Sequence, residues 1–149
     1  MARHAKAAII ARLDAVQRAK QAAAEAALAA ARESEALASA EAETARGELA
    51  ASQQLWFDYL GRPAFAPEFA RAIAGQLVAD DFAAGEADAR HRQAVDRAAR
   101  GVEEWQLADA RVRSTGQRLT HARRAEAARH EERRLAEFAD RITFGWMMR

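Results

Sequence analysis

Both prolines of this chain stand four residues apart, at 63 and 67, inside the segment Gly61-Arg62-Pro63-Ala64-Phe65-Ala66-Pro67. Proline lacks a backbone donor, fixes φ and disfavours helix in the residue before it, so this segment must interrupt any helix that reaches it. On either side runs a long tract with nothing to stop a helix. The upstream tract has no proline and only Gly47, which predicts one helix over about 5–60, roughly 80 Å long at 1.5 Å per residue. After a bend over about 61–67, helix resumes, since proline is tolerated in a first helical turn, and runs over about 68–142. Gly75, Gly85, Gly101 and Gly116 weaken the second tract, and the stretch 79–85 is where a short extra helix is expected to break from the longer one.

Hydrophobic residues make up 50% of the chain, but more than half of them are alanine. Alanine is the best helix former and buries little area, so long helices are favoured and a thick core is not. Upstream, Ile9, Leu13 and Val16 start a 4-3 spacing. After a stutter at Lys20, Ala24, Leu28, Ala31, Ala38, Ala42, Ala45, Leu49, Trp56 and Tyr59 continue it, with Glu35 and Ser52 as polar interruptions. Downstream, Val95, Ala98, Val102, Trp105, Val112 and Leu119 share one heptad phase, with Asp109 and Gly116 between them; Leu135, Phe138 and Ile142 fall out of step. Neither stripe can be buried alone and the connection is short. The expected fold is therefore all-α: a single antiparallel two-helix coiled-coil hairpin, monomeric when free.

Charge is sorted along the chain although the net value is only +1. Arg3, Lys6, Arg12, Arg18 and Lys20 outweigh Asp14 at the start, and eight arginines outweigh three glutamates over 111–134. Between them, segments 25–48 and 68–88 are acidic. A hairpin would gather both basic segments at its open end and both acidic ones toward the bend. Like charges crowded together repel, which implies an acidic partner at the basic end.

No sequence feature points to catalysis. There is no phosphate-binding glycine loop, and His130-Glu131-Glu132-Arg133-Arg134 ends in arginine where a zinc helix needs a second histidine. His4, His91, His121 and His130 lack i,i+4 ligand partners, so no metal and no cofactor are expected, and two thin helices offer no pocket for a small-molecule substrate. The arginines of 111–134 lack interleaved aromatics, which argues against nucleic acid. No cysteine is present, the opening segment has no secretory pattern, and no run approaches a membrane span. Trp56, Phe57, Tyr59, Phe65 and Phe69 flank the bend and Trp146 lies near the end. They read either as a small cap on the bend or as partner anchors.

With its Ile9–Val16 opening, the basic Arg18 and Lys20, the Ala/Glu run that follows and the segment Arg133-Arg134-Leu135-Ala136-Glu137-Phe138-Ala139-Asp140-Arg141, the chain resembles the FliJ family of flagellar type III export proteins. That resemblance implies a non-enzymatic stalk, peripheral to the inner-membrane export apparatus on its cytoplasmic side. Its open end would enter the hexameric ring of the export ATPase and promote ring assembly and activity. By similarity, Lys6, Arg12, Arg123, Arg124, Arg133 and Arg134 would face the ring, while Phe69, Ile73, Gln76 and Asp80 take the place of the face that contacts the export-gate membrane protein. Phe69 and Ile73 match that face; Gln76 and Asp80 depart from it. Export chaperones are further implied partners. The related injectisome stalk has the same architecture, and a generic coiled-coil scaffold is the alternative of a different class.

Overall fold

The computed structural model describes residues 4–148, which form two helices, α1 (His4–Leu60) and α2 (Pro67–Met147), with no strand among them. Arg3, counted above among the basic residues, lies outside this range. Proline at the first position of α2 needs no donor there, and Glu68 in the first turn complements the positive end of the helix dipole.

The expected break at 79–85 is absent, and α2 runs through it without interruption. Asp80, inside that stretch, accepts hydrogen bonds from the Ser52 hydroxyl and, at 2.8 Å, from Gln76 Nε2. Ala84 and Ala87 are buried, and Gly75 and Gly85 face open space, where a missing side chain leaves no hole in any packing. The short extra helix therefore does not form.

The chain divides into two compact units. The bend unit, Ala24–Trp105, contains the turn and the parts of α1 and α2 that flank it. Its two segments pack antiparallel: Ser52 meets Asp80, Arg46 pairs with Asp88, and Leu28 lies against Gly101, each pair farther from the bend than the last. A Cβ on Gly101 would stand 3.3 Å from Leu28 Cδ1 and 3.6 Å from Leu28 Cα, so glycine lets the backbones approach here. At the bend, Tyr59 is buried with Ala70 and Ile73, with Trp56 packed against them. Phe69 and Phe65 lie on its ring at centroid distances of 5.4 and 6.1 Å. Its hydroxyl donates to Ala66 O and accepts from Ala66 N, both at 2.7 Å; Ala70 N at the start of α2 also donates to Ala66 O at 3.0 Å, so Tyr59 is the partner the Ala66 N–H depends on.

The terminal unit joins Met1–Ala23 to Gln106–Arg149. Here too the segments are antiparallel, with Gln21 opposite Asp109 and Asp14 opposite Thr115. The covered positions of α1 are Ala7, Ile10, Asp14, Gln17 and Gln21, each at or one step from the same 3-4 spacing that governs Ala24 to Tyr59. No stutter is present. Ile9, Leu13 and Val16, expected to open the seam, are at least 42% exposed, and polar residues occupy the seam instead. On α2, the phase of Ala98, Trp105, Val112 and Leu119 is as the heptads predict. The alternate positions are Ala94, Ala108 and Thr115, one residue before the predicted Val95, Asp109 and Gly116.

Replacing Tyr59 with Phe leaves the Ala66 N–H without its partner while keeping the ring, and Ala66 O retains the bond from Ala70 N. The expected loss is about 1–3 kcal/mol in urea unfolding, at an unchanged slope.

Candidate functional site

Two faces need a functional account, one in each unit. In the terminal unit, alanine at 7, 122 and 125 leaves the two helix segments far from filled space. A cleft of about 670 Å³ results, with Ile10 and Leu13 on one wall and a rim of Lys6, Arg118, His121 and Arg129. Glu126 is the sole acid among its lining residues. An apolar floor with a cationic rim suits an acidic segment that carries an apolar anchor.

Next to this cleft, the seam of the terminal unit holds polar side chains where the bend unit has apolar ones. Asp14, only 6% exposed, receives Arg18 Nε at 2.8 Å and faces the Thr115 hydroxyl at 3.0 Å. That hydroxyl also lies 3.0 Å from Arg111 O, but it has one proton, and an ionised carboxylate is the stronger acceptor. The Arg18 hydrogen bond chiefly holds the Asp14 carboxyl below its ordinary value; burial opposes this, and the Thr115 bond and the charges of Arg18 and Arg123 add to it. Gln21 Nε2 donates to Asp109 Oδ1 at 2.8 Å, whereas Gln17 Oε1 is buried with no partner among the described residues.

All six residues assigned to the ATPase ring by resemblance fall in the terminal unit, and all are exposed: Lys6, Arg12, Arg123, Arg124, Arg133 and Arg134. Lys6 lines the cleft; the other five do not. Arg133 and Arg134 lie on the part of α2 beyond Glu126, where every described residue is exposed. The four residues assigned to the export gate belong to the bend unit and serve its own packing. Ile73 is 4% exposed and packs with Tyr59, Phe69 meets that ring at a tilt of 58° with about half its surface free, and Gln76 donates to Asp80. Only Phe69 and Gln76 retain an open side.

The residues that sequence reasoning missed are Arg118, His121 and Arg129. Their spacing of three and eight places them on one flank of α2, a pattern visible once the seam phase is known. Among the described residues, no group of three or more His, Asp or Glu could hold a metal ion, and no helix is long and apolar enough to cross a membrane.

Because the Asp14 carboxyl is held below its ordinary value of 3.8, the folded state binds fewer protons than the unfolded chain in that window. Its contribution is present above that value and is lost as pH falls through the lower, folded one. Urea midpoints of the wild type and Asp14→Asn should therefore differ most near neutral pH and converge toward about pH 2. A constant gap would show that Asp14 acts by shape alone. Comparison with known protein families, with characterised proteins and with solved structures finds no match.

Proposed function

We propose that this chain is a non-enzymatic coupling component of a type III protein export apparatus, a stalk that binds an acidic cavity in its ATPase partner through the terminal unit. The observation that carries the reading is that both basic segments of the sequence fall in one unit, packed together, with a cation-rimmed cleft between their helices. Nothing about net charge demands this, since the chain as a whole is nearly neutral.

In this reading Lys6, Arg118 and Arg129 hold acidic side chains of the partner at the cleft. Arg12, Arg123, Arg124, Arg133 and Arg134 supply the surrounding field that steers the approach. Binding one ring opening favours the assembled ring over free ATPase subunits by mass action, which raises hydrolysis without any chemistry on this chain. The bend unit is left free to meet the export gate and export chaperones. There the open sides of Phe69 and Gln76 make the contact, while Ile73 and Asp80 hold that face in shape from within. The chain then works at the cytoplasmic side of the inner membrane, as a peripheral component of either a flagellar or an injectisome system.

The test is the ATPase rate of the matching export ATPase with and without this chain. The full chain should stimulate hydrolysis, and changing Arg123, Arg124, Arg133 and Arg134 together to Glu should weaken binding by about 100-fold at low salt. Absence of stimulation by the wild-type chain would sink the proposal. Self-association at micromolar concentration in sedimentation, with no effect on the ATPase, would instead point to a scaffold.

A further inference from the structure

Beyond Glu126 nothing among the described residues covers α2. The positions where its seam would continue are Arg129, Arg133, Ala136 and Asp140, and none of them is a large apolar residue. Large apolar side chains lie elsewhere on the helix. Leu135, Phe138, Ile142 and Trp146 recur at three- and four-residue steps and form one stripe, with Phe138 63% and Trp146 82% exposed. At 100° per residue this stripe sits about 140° around the helix from the seam. It is a separate surface, and no extension of α1 in its own phase would cover it.

Charge around the stripe is sorted. Arg134 and Arg141, seven residues apart, run along one border, while Glu137 and Asp140 lie on the opposite side of the helix. From Ile142 to Met148 there is no charged residue at all, and Phe144, Met147 and Met148 make the final turns apolar on their remaining sides. Thr143 keeps its hydroxyl on Ala139 O, 2.8 Å away, so even this polar group is served within the helix. A single partner helix covers one stripe and would leave the back of those turns in water. The interface of a bilayer surrounds a helix end that is apolar on every side, and border arginines reach out to phosphates.

We propose that segment 134–148 is an amphipathic helix that lies in the interface of an anionic lipid bilayer. Leu135, Phe138, Ile142 and Trp146 enter the acyl boundary, Arg134 and Arg141 contact lipid phosphates, and the terminal carbonyls of α2 stay at headgroup level where water can reach them. This is independent of the stalk reading, which rests on cations and the cleft. Both draw on the same end of α2, so lipid and ring occupy it in alternation.

The full chain is mixed with phosphatidylglycerol-rich vesicles or with pure phosphatidylcholine vesicles. Trp146 is the only tryptophan left after Trp56→Phe and Trp105→Phe, and the unmodified chain is followed in parallel by vesicle co-sedimentation. Trp146 emission should move to shorter wavelength with the anionic vesicles, and binding should weaken as salt rises. Phe138→Asp should abolish both signals; Arg134→Glu with Arg141→Glu should cut binding by at least about tenfold. Phe138→Asp and the two arginine changes lie outside both packed seams, so circular dichroism of those free variants should match that of the chain that carries them. Three outcomes would each overturn the proposal: no binding to either vesicle, equal binding to both that ignores the arginines, or a lipid-free dimer that Phe138→Asp disperses.

Discussion

Alanine at the seam sets the terms for everything else in this molecule. A seam of small side chains lets two helices approach closely, and at Gly101 the approach is tight enough that even a methyl group would press on Leu28. The same smallness limits what each layer contributes, since an alanine side chain removes little apolar area from water. Stability must then come from a few larger features, and they are unevenly placed. Tyr59, with its ring packed on all sides and both faces of its hydroxyl used, anchors the bend.

Toward the chain ends the seam changes character. Asp14, Gln17 and Gln21 occupy successive covered positions of α1, and one of their oxygens goes unpaired among the described residues. A buried polar seam adds less than an apolar one and rejects mismatched partners more sharply, because every alternative pairing strands a hydrogen-bonding group. Where alanines replace larger residues beside this polar stretch, the helices leave a cleft instead of closing. Weak packing and cationic surface thus coincide in one unit, which suits a part of the chain that engages something else.

Much of this was legible in the residues, and the failures have separate physical causes. The two prolines located the bend, and the 4-3 spacing from Ala24 to Tyr59 named the seam of α1 in the bend unit correctly, including polar Ser52. The reading went astray where it followed size: Ile9, Leu13 and Val16 look like a core opening, yet the helix turns them outward and buries Asp14. The same preference picked Val95 over Ala94 on α2. Bulk alone did not decide burial: Leu28 and Tyr59 are covered while Ile9 and Val16 are not. The expected break at 79–85 failed for a different reason, since Asp80 finds a hydroxyl across the hairpin that a single-helix view cannot supply. The cleft was invisible for want of a register, because its walls come from segments roughly a hundred residues apart.

An alanine seam repeats itself, and repetition has a mechanical side. Between Leu28 and Ser52 the covered positions of α1 include Ala31, Ala38, Ala42 and Ala45, small side chains that by themselves say little about how one segment is set against the other. What fixes the setting is a handful of unlike pairs: Leu28 in the notch of Gly101, Ser52 on Asp80, Arg46 on Asp88. They act as detents on a ratchet, holding one position against neighbours seven residues away. A pull along one segment of this unit would therefore meet its resistance at these few places and not evenly along the seam.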